Sequence, residues 1–540
     1  MKISGKMVDI HSRDIYPAAI TISGSRISRI EKTSNVPDIY IMPGLIDSHI
    51  HIESSMITPG AFAMTAVKHG TCGVVSDPHE IANVLGIEGV KFMMRDAKKV
   101  PMNFFFGAPS CVPATSFETN GARLDNKEIR KLLEMDAIHY LSEMMNFPGV
   151  IHNDPEVVKK IECAKEFGKP IDGHAPGLYG ESLKKYVAAG ITTDHECSTI
   201  EEAREKISLG MKILIREGSA AKNLNALKGL FNTNPDMVML CSDDLHPEML
   251  EKRHINKLIA GLIEEGFNLF DVIRSATINP SIHYNLKSGL LRPGDDADFI
   301  LADNPTKMNI KETWIKGRQV FSDAKVLFKY ERSRPVNNFI CRPIEKKDIQ
   351  VINKYGQIRI IGAVEGELLT GEIHGSSQTG DYIVTDLNKD LLKIVVKDRY
   401  KDSPPAVGFI KGFGLKRGAF ASSIAHDSHN IISIGTNDRD IVNSINEIVR
   451  LKGGLSVCNG DKTESIQLNI GGIMTTRSCE EIAHDYNHLN QLVQSMGCTM
   501  MAPFMTLSFM ALLVIPDLKI GDRGLFDVKK FEPVSLFVEE

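Results

Sequence analysis

The chain has few of the residues that mark disulfide-bonded proteins and thiolate metal sites. Its 540 residues contain nine cysteines, an odd number, spread from Cys72 to Cys498 without a CxxC pair. This pattern argues against a disulfide scaffold and against a cysteine-ligated zinc site. We therefore expect reduced, mostly buried thiols.

The chain also lacks a basic run and a secretory leader. The sequence has 63 lysines and arginines and 68 acidic residues, a net charge of −5. Without a cluster of basic residues to bind phosphates, we expect no nucleic-acid partner. The N-terminal MKISGKMVDIHSRDIY has no apolar core typical of a signal peptide, so we expect a cytoplasmic protein.

One uncharged run, residues 494–516, is long enough to cross a bilayer. It contains Gly497, Pro503 and Pro516 together with many hydroxyl residues and methionines, and the charged DLKIGDR follows directly. We predict a buried segment of the C-terminal core and no membrane span.

The order of short patterns predicts three regions. Residues 1–42 and 286–335 alternate with a period of two between tight turns, which predicts a small β-sandwich domain split along the chain. Residues 43–285 alternate apolar strand-like runs with amphipathic helical stretches, which predicts a (β/α)8 barrel of the TIM type. Residues 345–540 begin with the strand-like YGQIRIIGAVEG, GDYIVTDL and LLKIVVKD, and we predict an additional C-terminal α+β domain.

The stretch PGLIDSHIHIESSM places His49 and His51 two positions apart at the end of an apolar run. Residues i and i+2 of a strand point to the same face, so both imidazoles can chelate one metal. Later predicted strands also end in side chains that can bind metal, namely Glu143, His174, His195 and Asp243. Barrel enzymes keep their chemistry at these strand ends, and such ligands suit Zn, Fe, Mn or Co.

These residues and several longer strings resemble one known family. The strings are PGLIDSHIHIESSM, SDPHEIANVLG, EMMNFPGV, GHAPG, REGSAA, SDDLHP, AHDSHN and PFMTLSF. Together they resemble the adenine deaminase family, within the amidohydrolase superfamily of metal-dependent hydrolases. The likeness extends from residue 43 to beyond residue 500.

The resemblance implies a binuclear metal centre loaded with manganese or iron, with zinc as a further option. Its ligands are expected to be His49, His51, Glu143, His174, His195 and Asp243. Many superfamily members bridge their metals with a carboxylated lysine, and the resemblance implies that Glu143 occupies the matching position here. The implied reaction is hydrolytic deamination of adenine to hypoxanthine and ammonia, as in purine salvage, in a homo-oligomer.

The expected mechanism is attack of a metal-activated hydroxide on C6 of adenine. Asp243 would accept a proton from the water and return it to the departing nitrogen. A second acid must protonate the ring, and Glu80, His79, Asp77, Asp244, His246 and Glu53 stay open as candidates. We carry forward Glu80 as catalytic candidate and Asp244, His79, His246, His426 and His429 as substrate-binding candidates.

Some of these residues also have purely structural interpretations. Asp77 and Glu80 have the spacing of a helix capping arrangement. Glu53 and Ser54 could cap the helix expected from Pro59 or orient the histidines. Arg216 and Glu217 are interpreted as a surface ion pair, and His426 and His429 are expected to cap the pocket rather than bind metal.

Two alternative functions remain open at this stage. A cyclic amidohydrolase or a deacetylase of the same superfamily would use the same metal ligands. A non-catalytic assembly scaffold is the third interpretation, but it predicts gaps in the ligand set, and all the positions hold residues that can bind metal.

Overall fold

The chain divides into two units, neither of them continuous in sequence. The computed structural model describes residues 1–219, 221–376 and 380–538, so Ala220 of the REGSAA string lies outside the described residues. The first unit comprises Met1–Pro78, Lys91–Cys111 and Leu124–Ser333. The second comprises His79–Val90, Val112–Arg123 and Arg334–Glu540.

The first unit begins with four strands of a sheet. They are β1 (Lys2–Asp9), β2 (Asp14–Ser23), β3 (Arg26–Lys32) and β4 (Tyr40–Pro43). β1, β2 and β3 form an antiparallel meander, as the alternating pattern predicts, whereas β4 runs parallel to β1.

Eight strands then follow one another around a barrel. They are β5 (Leu45–Ile50), β6 (Thr71–Ser76), β7 (Asn103–Ala108), β8 (Ile138–Met144), β9 (Ile171–Gly173), β10 (Thr193–Asp194), β11 (Lys212–Arg216) and β12 (Val238–Cys241). Backbone ladders join β5 through β9 and β10 through β12. A parallel bridge between Ile50 and Asp243 closes the ring by joining the end of β12 to β5.

Helical segments follow the barrel strands, as the alternating pattern predicts. They are α1 (Pro59–Ala66), α2 (His79–Leu85), α3 (Ile87–Ala97), α4 (Asn126–Leu133), α5 (Phe147–Ile151), α6 (Pro155–Glu166), α7 (Gly180–Ala188), α8 (Ile200–Ser208), α9 (Leu224–Leu227), α10 (Leu230–Thr233), α11 (Pro247–Leu250), α12 (Ile255–Glu264), α13 (Leu269–Ser275) and α14 (Ile278–His283). α4 starts with a capping box in which Asp125 and Glu128 each bond the other's backbone N–H.

The chain returns after the barrel to the sheet that it began. The returning strands are β13 (Phe299–Ala302), β14 (Ile310–Ile315), β15 (Arg318–Ser322) and β16 (Lys325–Val326). β13 pairs with β4, so strands from both sides of the barrel sequence form one eight-stranded sheet. Phe299 stacks on Trp314 in its core, with ring centroids 5.6 Å apart.

The interior of the barrel is filled by apolar and aromatic side chains. Ile46, Val75, Tyr140, Leu214 and Met239, from five different strands, belong to one buried cluster. Such a packed interior leaves the strand ends as the place for chemistry.

The second unit is built on another eight-stranded sheet. Its strands are β17 (Gln357–Ala363), β18 (Thr370–Ser376), β19 (Leu392–Lys397), β20 (Ala406–Lys411), β21 (Ala419–Ser422), β22 (Ile431–Gly435), β23 (Gly454–Asn459) and β24 (Lys462–Gln467). α15 (Asp438–Leu451) buries Ile441, Ile445 and Ile448 in the same core as residues of β19, β21 and β22. The strand predicted for GDYIVTDL is wrong, because only isolated bridges at Tyr382 and Asp386 occur there.

The unit ends with two helices and a small sheet. They are α16 (Cys479–Ser495), α17 (Pro503–Phe509), β25 (Leu518–Gly521), β26 (Gly524–Asp527) and β27 (Glu532–Val534). α17 is largely buried, which confirms the core segment predicted for residues 494–516. Among the described residues, no helix has both the length and the apolar character needed to span a membrane. All nine cysteines are free and buried, as predicted.

Candidate metal centre

The two histidines of the HxH motif face each other at the end of β5. Nε2 of His49 lies 3.2 Å from Nε2 of His51, and both side chains are almost fully buried. The Nδ1 of His51 contacts the backbone carbonyl of Asp77 at 3.1 Å, which can only accept a hydrogen bond. A proton on Nδ1 leaves a lone pair on Nε2, so this contact prepares His51 as a metal ligand.

Asp243 lies beside this histidine pair. Its Oδ1 is 3.3 Å from Nε2 of His51 and 3.7 Å from Nε2 of His49. The backbone N–H of Asp243 donates to the carbonyl of His49 at 2.9 Å. The hydrogen bond that joins the end of β12 to β5 therefore also holds the Asp243 backbone beside the two histidines. The residue adopts a left-handed φ of 54°, a conformation that aspartate tolerates better than most residues.

A second pair of imidazoles comes from the ends of β9 and β10. Nδ1 of His174 lies 3.2 Å from Nε2 of His195. The ring of His195 also stacks on that of His49, with centroids 4.3 Å apart. The four histidines, which come from the ends of β5, β9 and β10, therefore converge on one place.

Glu143, at the end of β8, stands between the two pairs. Its Oε1 is 3.4 Å from Nε2 of His51. Its Oε2 is 2.8 Å from Nδ1 of His174 and 3.1 Å from Nε2 of His195. One carboxylate oxygen thus faces His51 of the first pair, and the other faces both histidines of the second pair, an arrangement that a bridging ligand requires.

The spacing and chemistry of these atoms fit divalent cations. Two imidazole nitrogens bound to one cation at about 2.0–2.1 Å lie about 2.9–3.4 Å apart, and both histidine pairs have a nitrogen separation of 3.2 Å. Nitrogen and carboxylate donors without thiolate suit Mn, Fe and Zn. We refer to the six residues of this cluster as the cage: His49, His51, Glu143, His174, His195 and Asp243.

Charges inside the cage perturb its ionisable groups strongly. Burial and the neighbouring His195 and His51 lower the pKa of His49 well below its usual value. Burial alone would lower the pKa of His195, but the hydrogen bond and charge of Glu143 outweigh it and raise that pKa to about 9. Burial would raise the pKa of Glu143, yet the two histidines that bond it hold that pKa well below normal.

The interpretation of Arg216 and Glu217 as a surface ion pair is wrong. Arg216 is buried, and its Nη1 donates to Asp243 Oδ2 at 2.6 Å and to Glu196 Oε1 at 2.5 Å. Its Nη2 donates to Glu196 Oε2 at 2.9 Å, whereas Glu217 lies 3.6 Å from Lys222. Burial raises the pKa of Asp243, but the Arg216 charge more than compensates and holds it well below the usual range.

Glu196 is the cage neighbour that sequence reasoning missed. Its Oε1 lies 3.6 Å from Nδ1 of His174 and 3.5 Å from Nε2 of His195. The available signal was its position directly after His195 in the string DHE. Its partner Arg216 lies 20 residues farther along the chain, at the end of β11, so no local spacing links the two.

Residues around the HxH motif connect the cage to its surroundings. Glu53 and Ser54 form part of a short 3-10 turn, Ile52–Ser55, and both are buried. Ser54 Oγ donates to Asp244 Oδ1 at 2.6 Å. The carboxylate of Asp77 accepts from Ser142 Oγ at 2.8 Å. His246 donates its backbone N–H to Ser219 Oγ at 2.9 Å.

The remaining candidates belong to the second unit and cluster within it. His426 and His429 lie in the loop between β21 and β22, and Glu80 lies in the first turn of α2. Nδ1 of His426 is 3.6 Å from Glu80 Oε1, and Nε2 of His429 is 3.9 Å from Glu80 Oε2. Nε2 of His79 is 3.8 Å from Asp427 Oδ1. All of these side chains are buried.

Known proteins resemble the chain along its whole length. Residues 40–320 match the amidohydrolase family, and residues 367–532 match the adenine deaminase C-terminal domain. The chain is 50% identical to an adenine deaminase of Methanosarcina mazei, with 100% of each chain covered. It is 49% identical to an adenine deaminase of Methanosarcina barkeri and 48% identical to one of Salinibacter ruber, with 99% of each chain covered.

Proposed function

The chain belongs to the adenine deaminase family of the amidohydrolases, and we propose that its cage catalyses hydrolysis of adenine to hypoxanthine and ammonia. The observation that carries the proposal is the position of Glu143, whose two oxygens face two separate histidine pairs. This geometry supports a binuclear centre in which a glutamate is the shared carboxylate.

The residues of the cage divide into two half-sites. His51 faces one oxygen of Glu143, with His49 and Asp243 beside His51, and His174 and His195 face the other oxygen. Divalent cations bound there would lower the pKa of a coordinated water to about 7. The nitrogen and carboxylate donors favour Mn or Fe, with Zn as a further option.

Asp243 is our proposed carrier of the proton in the reaction. Arg216 occupies its Oδ2, which leaves Oδ1 as the oxygen that faces the imidazoles. A carboxylate held ionised in this way can take a proton from the attacking water at Oδ1 and deliver it to the departing amino group. Because Arg216 also binds both oxygens of Glu196, it cannot swing away without leaving two buried carboxylates unpaired.

Recognition of the purine is assigned to the remaining candidates. We propose Glu80 as donor of the ring proton, since it lies in a buried cluster with His426 and His429. We propose His79, His246, His426, His429 and Asp244 as contacts of the purine edge. Asp244 is held by Ser54, so its carboxylate has a fixed orientation at the strand end next to Asp243.

Substrate comparison tests the proposal against the alternatives. The purified protein, loaded with Mn²⁺, is incubated separately with adenine, dihydroorotate, hydantoin and an N-acetylated amino sugar. Release of ammonia from adenine, without turnover of the others, is the expected result. Turnover of a cyclic amide or an N-acetyl group instead would identify a different amidohydrolase, and no turnover of any compound would favour the scaffold.

Two finer expectations accompany this function. We propose that the enzyme is a homo-oligomer and acts in the cytoplasm, with adenine as its small-molecule partner. Light scattering on the purified protein tests the first expectation, and fractionation of the source cells tests the second.

A further inference from the structure

The barrel has an interrupted seam between β9 and β10, directly beneath one half of the cage. Backbone ladders join β5 through β9 and β10 through β12, but in the described part of the chain no ladder joins β9 to β10. These are also the two shortest barrel strands, with three and two residues. Among the residues that the structure describes, one bond between backbone groups crosses the seam next to these strands, from the Thr192 N–H to the carbonyl of Ile171.

Side chains replace the missing ladder at this seam. Thr193 Oγ1 accepts from the backbone N–H of Gly173 at 3.2 Å, and Asp194 Oδ1 accepts from the N–H of Ala175 at 2.8 Å. Gly173 and Ala175 flank His174, and Asp194 directly precedes His195. The distance between the two imidazoles is therefore controlled by side-chain hydrogen bonds rather than by strand pairing.

Lys206, on α8, is the centre of this network. Its Nζ donates to Ala175 O at 2.7 Å, Asp194 Oδ2 at 2.9 Å and Glu202 Oε1 at 2.8 Å. These three bonds use all three hydrogens of the ammonium group, and the side chain is fully buried. Glu202 lies on α8 like Lys206, whereas Ala175 directly follows His174 and Asp194 directly precedes His195.

Glu202 extends the same network to both loops. Its Oε1 accepts from the backbone N–H of Gly177 at 2.9 Å, after β9. Its Oε2 accepts from the N–H of Ser198 at 3.1 Å, after β10. The loops that carry His174 and His195 are thus attached to one buried ion pair between Lys206 and Glu202.

We propose that Lys206 is a positioning residue for one half-site of the cage, because its ammonium holds the loops of His174 and His195 at metal-binding distance. The other half-site has separate support. Asp243 N–H bonds the carbonyl of His49, and the carboxylate of Asp47 accepts from the N–H of Ser242 at 3.0 Å. Loss of Lys206 should therefore lower the affinity for the cation at His174 and His195 and leave the affinity for the other cation unchanged. This inference rests on the proposed binuclear function.

Metal counting on a charge-removing variant tests the inference. Wild type and Lys206→Met are loaded with Mn²⁺, desalted and analysed for bound metal, and Co²⁺ is titrated while its visible absorption is recorded. Wild type should retain two ions per chain. The variant should retain one ion at wild-type affinity and bind the second 10–100-fold more weakly, the range typical for loss of an outer partner of a ligand.

Two further variants keep the result interpretable. Lys393→Met removes another buried lysine, which bonds Ile349 O at 3.0 Å and pairs with Asp438 in the second unit, and it should retain both ions. Glu202→Gln keeps the lysine and the shape of the network, so it provides the same test if Lys206→Met fails to fold. Its affinity for the second ion should fall by less than that of Lys206→Met.

The outcomes separate this inference from the proposed function. Two tightly bound ions in Lys206→Met, or equal weakening of both ions, would overturn the positioning role while leaving wild-type deamination intact. If Lys206→Met does not fold, two ions at wild-type affinity in Glu202→Gln would overturn it. A wild-type protein that binds fewer than two ions would overturn the binuclear proposal and this inference together.

Discussion

The carboxylate of Glu143 places one oxygen 3.4 Å from Nε2 of His51 and the other 2.8 Å from Nδ1 of His174. A single side chain thus connects ligands that come from the ends of β5 and β9. In the proposed binuclear centre, this arrangement would allow the barrel to hold two cations without a modified lysine. Both proposed half-sites would then depend on Glu143.

Removal of the metal should abolish deamination reversibly. Dialysis against a chelator should eliminate ammonia release from adenine, because the histidines and carboxylates alone do not generate a nucleophile at neutral pH. Re-addition of Mn²⁺, Fe²⁺ or Zn²⁺, each at stoichiometric amounts, should restore activity to different degrees and thereby identify the preferred metal. Full activity in verified metal-free protein would contradict the proposal.

Asp243→Asn should lower kcat by about 10²–10⁴, the usual contribution of a positioned proton carrier. The amide has nearly the same shape, but it cannot accept a proton at Oδ1. Asp244→Asn is the matched comparison, because Asp244 is proposed to contact the purine and should mainly raise KM. Steady-state kinetics on adenine with saturating Mn²⁺ distinguishes the two, and an unchanged kcat in Asp243→Asn would exclude the proton-carrying role.

Arg216→Met should reduce kcat about 10–100-fold and destabilise the fold by about 3–5 kcal/mol, because Glu196 and Asp243 would remain as buried charges without their partner. Arg216→Lys should recover part of both losses, since an ammonium keeps the charge but cannot form the bidentate contact with Glu196. Glu217→Gln is the control, and its stability should stay within about 0.5 kcal/mol of wild type. Urea denaturation and adenine kinetics measure both effects.

Lys519 should give the second unit a pH-dependent stability. Burial lowers its pKa to about 7, and its Nζ donates to the carbonyls of Leu368 and Phe509. Between about pH 7 and pH 10 the unfolded chain binds more protons at this lysine than the folded chain, so its contribution to stability rises with pH. Below about pH 7 the lysine is protonated in the folded chain as well, so the gain in stability from its deprotonation is absent.

The matching variant is Lys519→Met, which cannot titrate. Wild type should gain up to roughly 1.4 kcal/mol per pH unit relative to this variant across the window from about pH 7 to pH 10. Denaturation curves of both proteins at several pH values provide the measurement. Parallel stability profiles for the two would show that Lys519 does not titrate as described.

Much of this architecture could be predicted from the sequence because it follows local periodicity. The alternation of strands and helices predicted the barrel, and the strand ends predicted His49, Glu143 and Asp243 as neighbours. The metal-binding roles of these residues remain predictions. The likeness of long strings to one family added the reaction, which spacing alone could not supply.

Other features depend on tertiary contacts that have no local pattern. Arg216 has Glu217 as its chain neighbour, but the fold directs its side chain to Glu196 and Asp243. The strand predicted for GDYIVTDL has suitable residues, yet the backbone there finds only isolated bridges. The seam between β9 and β10 also escapes sequence reasoning, because the pairing of Lys206 with both loops appears only when the barrel closes.

Anomalous scattering from a crystal of the manganese-loaded protein tests the central claim most directly. We expect two anomalous peaks per chain, one beside His49, His51 and Asp243 and the other beside His174 and His195. Both peaks should lie within coordination distance of Glu143. A single peak, or two peaks that do not share Glu143, would contradict the proposed centre.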